Sequence, residues 1–346
     1  MSGESRTAAP APVVLGQRQA RLPVGRRGIV SALARGTSGE ASRIWLALAA
    51  ALGIWFVAVG FEGGVATYNG TQLVFSSIVP LGAGTMSAMF ILAIGDIDVS
   101  IGFFIGVANA VAAKFLASDP LGGALLLAAL IVAYMTLGAL IEILAMPSLL
   151  ATLAASFIWE GIGLAMYPTP GGTAPQWLLS LYNSRPPLVP FPIIALAVFA
   201  APTTWYLRRT RRGVLLRSFG SDHKAAVTFG VSPLAMRLTA YGLAGVFGVI
   251  GGLAVTAVAD SGAPSSSSSL TLLAIAGAIV GGSEFSGGFG VPVGAILGAI
   301  TVSLATTVLT FINVPSNYQD GVVGAILLAA LALRMLVRRV RGMSGR

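Results

Sequence analysis

Two short stretches set acids among glycines and hydroxyls in otherwise apolar sequence: GDIDVSIGF, from Gly95 to Phe103, and GGSEFSGGF, from Gly281 to Phe289. In register, Gly95 pairs with Gly281, Asp98 with Glu284, Ser100 with Ser286, Gly102 with Gly288 and Phe103 with Phe289. The shared pattern is a glycine, two residues, an acid, one residue, a serine, one residue and a glycine. Glycine breaks a helix and lets backbones approach each other. A broken helix frees amides and carbonyls, which are tolerated inside a membrane only where protein or a water-filled cavity covers them. Carboxylate and hydroxyl oxygens can accept the freed amides, as at a helix start. Asp96, Asp98, Ser100, Glu284 and Ser286 therefore have two chemistries open to them: capping broken helices, or touching a polar solute on a translocation path. Asp96 has no counterpart in the second stretch. Paired motifs of this kind suit a transporter built from internal repeats that meet at the transport path.

Other acids are weighed the same way. Glu160, in SFIWEGIG, sits deep in an apolar run and joins the path candidates. Glu142 reads as an interfacial charge at a helix end, and Asp260 and Asp320 as solvated residues at helix boundaries. The chain has no cysteine and one histidine, His223, so disulfides, thiol chemistry and Cys/His metal sites are set aside. No nucleophile–base pair is evident. No G-x-x-x-x-G-K-[ST] phosphate loop exists, and GGSEFSGG lacks its lysine. The chain is thus expected to bind no cofactor and to do no enzymatic chemistry of its own.

These residues are carried by a membrane protein. Of 346 residues, 55% are hydrophobic and only 10% charged, and the mean hydropathy is +0.87. A soluble domain carries about 25% charged residues. The formal charge of +9 is explained by topology and not by nucleic acid. The expected fold is an all-α polytopic domain over residues 44–336, with about ten spans near 44–61, 71–94, 99–117, 121–144, 148–167, 191–207, 235–258, 270–283, 288–312 and 318–336. Some are broken or re-entrant; 270–283 is too short to cross unaided. Residues 1–43 and 337–346 read as basic cytoplasmic tails, the first mobile. Seven arginines lie in 1–43, seven Lys/Arg in 208–237 and five arginines in 334–346. With ten spans all three blocks fall on the cytoplasmic side with both termini, leaving only Arg185 in the outer loops and Lys114 to snorkel from a helix end. The outer loop 168–190, rich in proline and carrying Trp177, reads as ordered on the membrane surface, and SGAPSSSSS (261–269) as a flexible turn.

The segment 208–234 is the second informative stretch. Its basic start anchors it at the inner face. Ser221 or Asp222 can cap a short helix through Lys224, Ala225 and Ala226, and Gly230 with Pro233 ends it. Such a helix, projecting from a membrane domain, suits docking into a partner's groove.

Together these stretches resemble the permease subunits of bacterial ABC importers of the ribose/xylose and branched-chain amino acid superfamily, and most of all the ribose-type sugar permeases. Gly95–Gly102 is similar to the family's G-G-I-D-L-S-V-G. PSLLATLAASFIWEG (147–161) resembles P-S-F-I-A-T-L-x…R-G. GSDHKAAVTFGV (220–231) resembles G-N-E-x-x-A-x-x-x-G-I, AIAGAIVGGSEFSGGFG (274–290) resembles A-I-A-x-x-x-x-G-G-T-S-x-x-G-G-x-G, and NVPSNYQ (313–319) fits the start of the last helix. The likeness runs in order over about residues 70–335.

The resemblance implies a multi-pass protein of the bacterial inner membrane that pairs with a second permease copy or paralogue and contacts membrane lipid. It implies a separate cytoplasmic ABC ATPase, carrying the ATP and Mg, and a periplasmic or lipid-anchored binding protein that delivers a sugar or similar small solute. Gly220, Ser221, Asp222, Ala225, Ala226 and Gly230 would then be the coupling region. Three departures bear on specificity: Asp96 stands at a family glycine, Glu160 where the family has arginine, and Glu284 at a family serine. The alternatives are an ABC permease for an amino acid or nucleoside, and a proton- or ion-coupled secondary transporter that uses the intramembrane acids.

Overall fold

The computed structural model describes residues 26–288, 290–315, 318, 319, 321, 324 and 325, with side chains from Ala41 onward. The chain divides into residues 1–39 and 40–346, and the second unit carries everything below. Among the described residues the structure is helical apart from one antiparallel bridge, Gly171 to Gly262. The helices are α1 (Arg26–Phe61), α2 (Tyr68–Ala93), α3 (Ile101–Val111), α4 (Pro120–Ile143), α5 (Ser148–Met166), α6 (Gln176–Tyr182), α7 (Phe191–Arg209), α8 (Arg211–Ser221), α9 (His223–Thr228), α10 (Pro233–Ala259), α11 (Leu270–Val280) and α12 (Pro292–Phe311).

Seven helices, α1 (from Ala41), α2, α4, α5, α7, α10 and α12, are long and apolar enough to cross a bilayer. Two shorter apolar helices, Ile101–Leu116 and Pro264–Val280, stand where the expected third and eighth spans were placed. Each of the two is flanked by a glycine break. Most of the expected tenth span, its boundary residue Asp320, the tail 337–346 and residues 1–25 of the first tail lie outside the described residues.

Helix starts follow from local chemistry. Thr67, Asp119, Thr210, Asp222 and Ser232 each accept the amide of the residue three positions on, at 3.1, 3.0, 3.1, 2.9 and 3.3 Å. This satisfies one of the amides every helix start leaves over. Proline at the first position of α4 and α10 costs nothing there, since its missing N–H is one of those orphans.

The core sits around α2, whose residues from Ile78 to Ala93 are buried throughout. The apolar run therefore faces protein on all sides, which separates α2 from α1, α4, α5 and α7, each of which leaves one side open. α10 packs against α2, α3 and α4, and α12 packs against α11 and α2. Small residues permit this: a side chain on Gly138 of α4 would strike the Tyr241 ring of α10, the close approach that lipid-embedded helices use.

At the end opposite the two breaks, the 168–190 loop is tied down. Gly171 and Gly262 exchange backbone bonds of 3.0 and 2.7 Å. Asp260 Oδ1 accepts the Ala174 amide at 2.9 Å. The Tyr182 hydroxyl donates to the Ser76 carbonyl at 2.5 Å and Tyr68 to the Pro186 carbonyl at 2.6 Å. Burial holds the Tyr182 phenol well above its ordinary value, so it stays a donor. Asp260 is thus an exposed residue with a structural task, bonding a loop across from α10.

Candidate functional site

The first break, residues 94–100, begins where Gly95 turns α2 off with φ of +85°, a conformation glycine alone adopts without strain. Four elements then hold five residues. Ser148 at the start of α5 accepts the Ile97 amide at 3.2 Å. Thr152, one turn on, accepts the Val99 amide at 3.2 Å and donates to the Ile97 carbonyl at 3.3 Å. Thr271 of α11 accepts the Gly102 amide at 3.0 Å. The freed backbone is therefore covered by protein, as a break at membrane depth requires.

The two aspartates divide the work. Asp98 is 3% exposed. Its Oδ1 accepts the amide and the hydroxyl of Ser100, both at 2.7 Å. Its Oδ2 accepts the Tyr134 hydroxyl of α4. Asp98 thus closes the turn that starts α3, while Ser100, the residue at the cap position, gives its hydroxyl to Asp98 and caps nothing itself. Tyr134 is wedged among Phe104, Trp159 and Tyr241, its ring centre 4.4 Å from that of Phe104. Asp96 turns the other way. Arg237 of α10 grips it with Nε at 3.0 Å and Nη2 at 3.2 Å, and gives Nη1 to Glu142 at the end of α4. A bidentate guanidinium–carboxylate pair is among the strong hydrogen-bonded pairs of proteins. Glu142 is thus one corner of an ionic cluster and not a free interfacial charge.

The second break, residues 281–291, repeats part of this chemistry. Ser286 donates to Glu284 at 3.2 Å, as Ser100 does to Asp98. The positive-φ glycine is shifted by one: Gly282 (+109°), not Gly281, matches Gly95, and Gly287 and Gly288 add two more at +77° and +78°. Glu284 pairs with Arg43 at 2.7 Å, and the same guanidinium donates to the Gly282 carbonyl at 2.9 Å. Ser286 is exposed, whereas Ser100 is sealed.

The two breaks touch. The Gly288 amide donates to the Ala93 carbonyl at 2.9 Å. The third partner is the end of α8: a side chain on Gly220 would collide with both the Ala93 carbonyl and the Gly288 amide. Buried Leu216 and Phe219 seat that helix. Asp222, not Ser221, caps α9, since the Ser221 hydroxyl donates back to Arg217. Gly230, with φ of +83°, turns the chain away. On α9, Ala225 is half-buried and Ala226 faces inward, while Val227 and, just past the helix end, Phe229, 43% and 87% exposed, face outward. Glu160 stands apart from all of this, half-buried on α5. Among the described residues no group of three His, Cys, Asp or Glu side chains could hold a metal.

The residues that sequence reasoning passed over are those that complete the clamps: Arg237, Tyr134, Ser148, Thr152, Arg43 and Phe229. Arg237 is counted in sequence with the basic block 208–237, yet it lies four residues beyond Pro233, inside an apolar helix. That position was the available signal.

Comparison with known proteins decides the family. Residues 70–331 match the family described as the permease component of branched-chain amino acid transport systems. The chain belongs to this family. Family relatives include the ribose import permease protein RbsC of Bacillus subtilis (strain 168), 30% identical over 70% of this chain and 78% of its own length. The autoinducer 2 import system permease protein LsrC of Shigella flexneri is 27% identical over 75% and 77%. The xylose transport system permease protein XylH of Haemophilus influenzae is 32% identical, but over 41% of this chain and 38% of its own length. No solved structure matches. With its several apolar helices, the chain is a multi-pass integral protein of the inner membrane.

Proposed function

We propose that the chain is the membrane-spanning subunit of an ATP-driven ABC importer that moves a sugar or similar small polar solute delivered by a binding protein. The observation that carries this reading is the seat of α8 on both glycine breaks, with α9 offering Phe229 outward from the same end. A push on α9 is passed by packed backbone to Ala93 and Gly288, the two points at which spanning helices are interrupted. Packed elements of this kind shift as units between discrete arrangements. The arm carries Arg208, Arg209, Arg211, Arg212, Arg217 and Lys224, which favours a cytoplasmic position, where an ATPase would dock. The relatives named for ribose, xylose and autoinducer 2 import support a small polar solute. A second permease copy or paralogue completes the reading.

A secondary transporter would need intramembrane acids free to exchange protons. Three of the four path acids, Asp96, Asp98 and Glu284, instead have fixed partners in Arg237, Tyr134 and Arg43, which leaves Glu160 alone and no chain of acids for a proton relay. Uptake of labelled ribose and xylose by cells that depend on this chain tests the two readings. ATP depletion with the membrane potential kept is expected to stop uptake, and a protonophore with ATP kept is expected to spare it. The opposite pattern overturns the proposal.

A further inference from the structure

Nine acids have described side chains, and eight of them have partners. Glu62, Asp119 and Asp222 accept amides at or near helix starts, and Asp260 accepts that of Ala174. Asp98 holds Ser100 and Tyr134. Asp96 and Glu142 share Arg237, and Glu284 takes Arg43. Glu160 is the exception among them: no hydrogen bond or ion pair reaches it.

Its position makes this consequential. α5 has 19 residues, and Glu160 lies about 18 Å from its first residue and about 9 Å from its last at 1.5 Å per residue. It is therefore well inside a membrane-spanning helix. One side of α5 is buried: Ala151, Thr152, Ala155, Ser156, Trp159 and Gly163. That side carries Thr152, which clamps the first break, and Trp159, whose ring packs on Phe104 and Tyr134. The other side, with Leu150, Phe157 and Leu164, is exposed, and Gly161 meets nothing within 4 Å of where a side chain would start. Glu160 lies at the border of the two. Trp159 beside it leaves its buried indole N–H without an acceptor. A carboxylate facing hydrocarbon is costly, and intramembrane acids face cavities or partners.

We infer that the open side of α5 lines a water-filled passage, and that Glu160 is the specificity-determining residue of that passage, accepting hydrogen bonds from hydroxyl-rich solutes or pairing with cationic ones and disfavouring anionic ones. The inference rests on the permease reading and narrows its solute class to neutral polyols and cations, against phosphorylated or carboxylated compounds. α5 joins this contact to the first break through Thr152, so solute and break share one rigid helix.

The chain contains no cysteine, so a single introduced thiol is a clean probe. Gly161→Cys places one beside Glu160 in open space. The full chain, reconstituted in vesicles, is treated with methanethiosulfonate reagents carrying a trimethylammonium or a sulfonate group. Rates are compared with Glu160 present and in the Glu160→Gln background, which cancels the intrinsic reactivities. Both reagents are expected to react, with the cation-over-anion ratio falling about tenfold on Glu160→Gln, the scale of one nearby charge in a wet site. If neither reagent reacts in either background, the face is dry, covered by lipid or a second copy, and the inference falls. If the ratio is unchanged, Glu160 does not select charge and the inference also falls. Labelling needs no ATPase, so its failure is distinguishable from failure of the ATP-driven reading. Unchanged thermal unfolding of Glu160→Gln confirms that the comparison reports charge and not folding.

Discussion

Arg237 and Glu142 are each set at the wrong end of a helix for their charge. Arg237 lies in the opening turns of α10, where the backbone dipole is positive, and Glu142 lies in the last turn of α4, where it is negative. The dipole disfavours Glu142 by a few tenths of a kcal/mol up to about 1 kcal/mol and Arg237, past the first turn, by less, so the two are held by each other and Arg237 also by Asp96. Removing the one cation strands two carboxylates. Breaking a buried pair costs about 3–5 kcal/mol and an exposed one about 0–1. The Arg237, Asp96 and Glu142 side chains are 19%, 8% and 23% exposed, so Arg237→Ala is expected to destabilise by about 2 kcal/mol. Asp96→Asn, which leaves the Arg237–Glu142 pair, should cost less. Thermal unfolding of the detergent-solubilised variants measures both, and an equal loss would mean that Asp96 carries the whole cluster. Tyr134→Phe removes one of three donors to sealed Asp98 and is expected to cost about 1–3 kcal/mol. Ser100→Ala, which leaves the Ser100 amide bond in place, should cost less on the same assay.

At the scale of elements, α9 is too short to be stable alone, and its cap and its seat hold it. Phe229 is the exposed aromatic on this arm, the kind of side chain that anchors an interface. Phe229→Ala is expected to weaken ATPase binding by about 2 kcal/mol, roughly thirtyfold, without changing thermal unfolding of the membrane part. Retained binding would place the docking surface elsewhere. Asp222→Ala, which removes the cap bond to Ala225, should fray α9 at about 1 kcal/mol and weaken the same binding to a smaller degree.

A short helix ending at Gly230, with Ser221 or Asp222 as its cap, was legible in sequence because a cap residue and a stop glycine are local signals, and the structure selects Asp222. Which side of it faces outward was not legible. That depends on Leu216 and Phe219 seating α8, a long-range fact. The acid-x-serine likeness of the two breaks was legible for the same local reason. Their contact through Gly288 and Ala93, which no spacing records, was not. Asp96 looked idiosyncratic in sequence because its partner is 141 residues away.

For the whole molecule, apolar run length located helices at nine of the ten expected positions within a few residues, seven of them long and apolar enough to span and two of them shorter. It also flagged 270–283 as too short, and α11 is indeed only 11 residues. What run length cannot distinguish is a helix enclosed by protein, such as α2, from one open on one side, such as α5. That distinction is what isolates Glu160. The parts combine into one account: an arm at the basic end presses on two breaks, the breaks interrupt the helices around α2, and α5 links the first break to the open face.

The most direct test of this account is ATP hydrolysis by the chain isolated from its native membrane in mild detergent, with and without Phe229→Ala. The account predicts a co-isolated ATPase with vanadate-sensitive hydrolysis, lost with the ATPase in the Phe229→Ala preparation while the membrane part unfolds at the same temperature. An absence of hydrolysis above background from the intact chain, with solute uptake indifferent to ATP depletion, would contradict it.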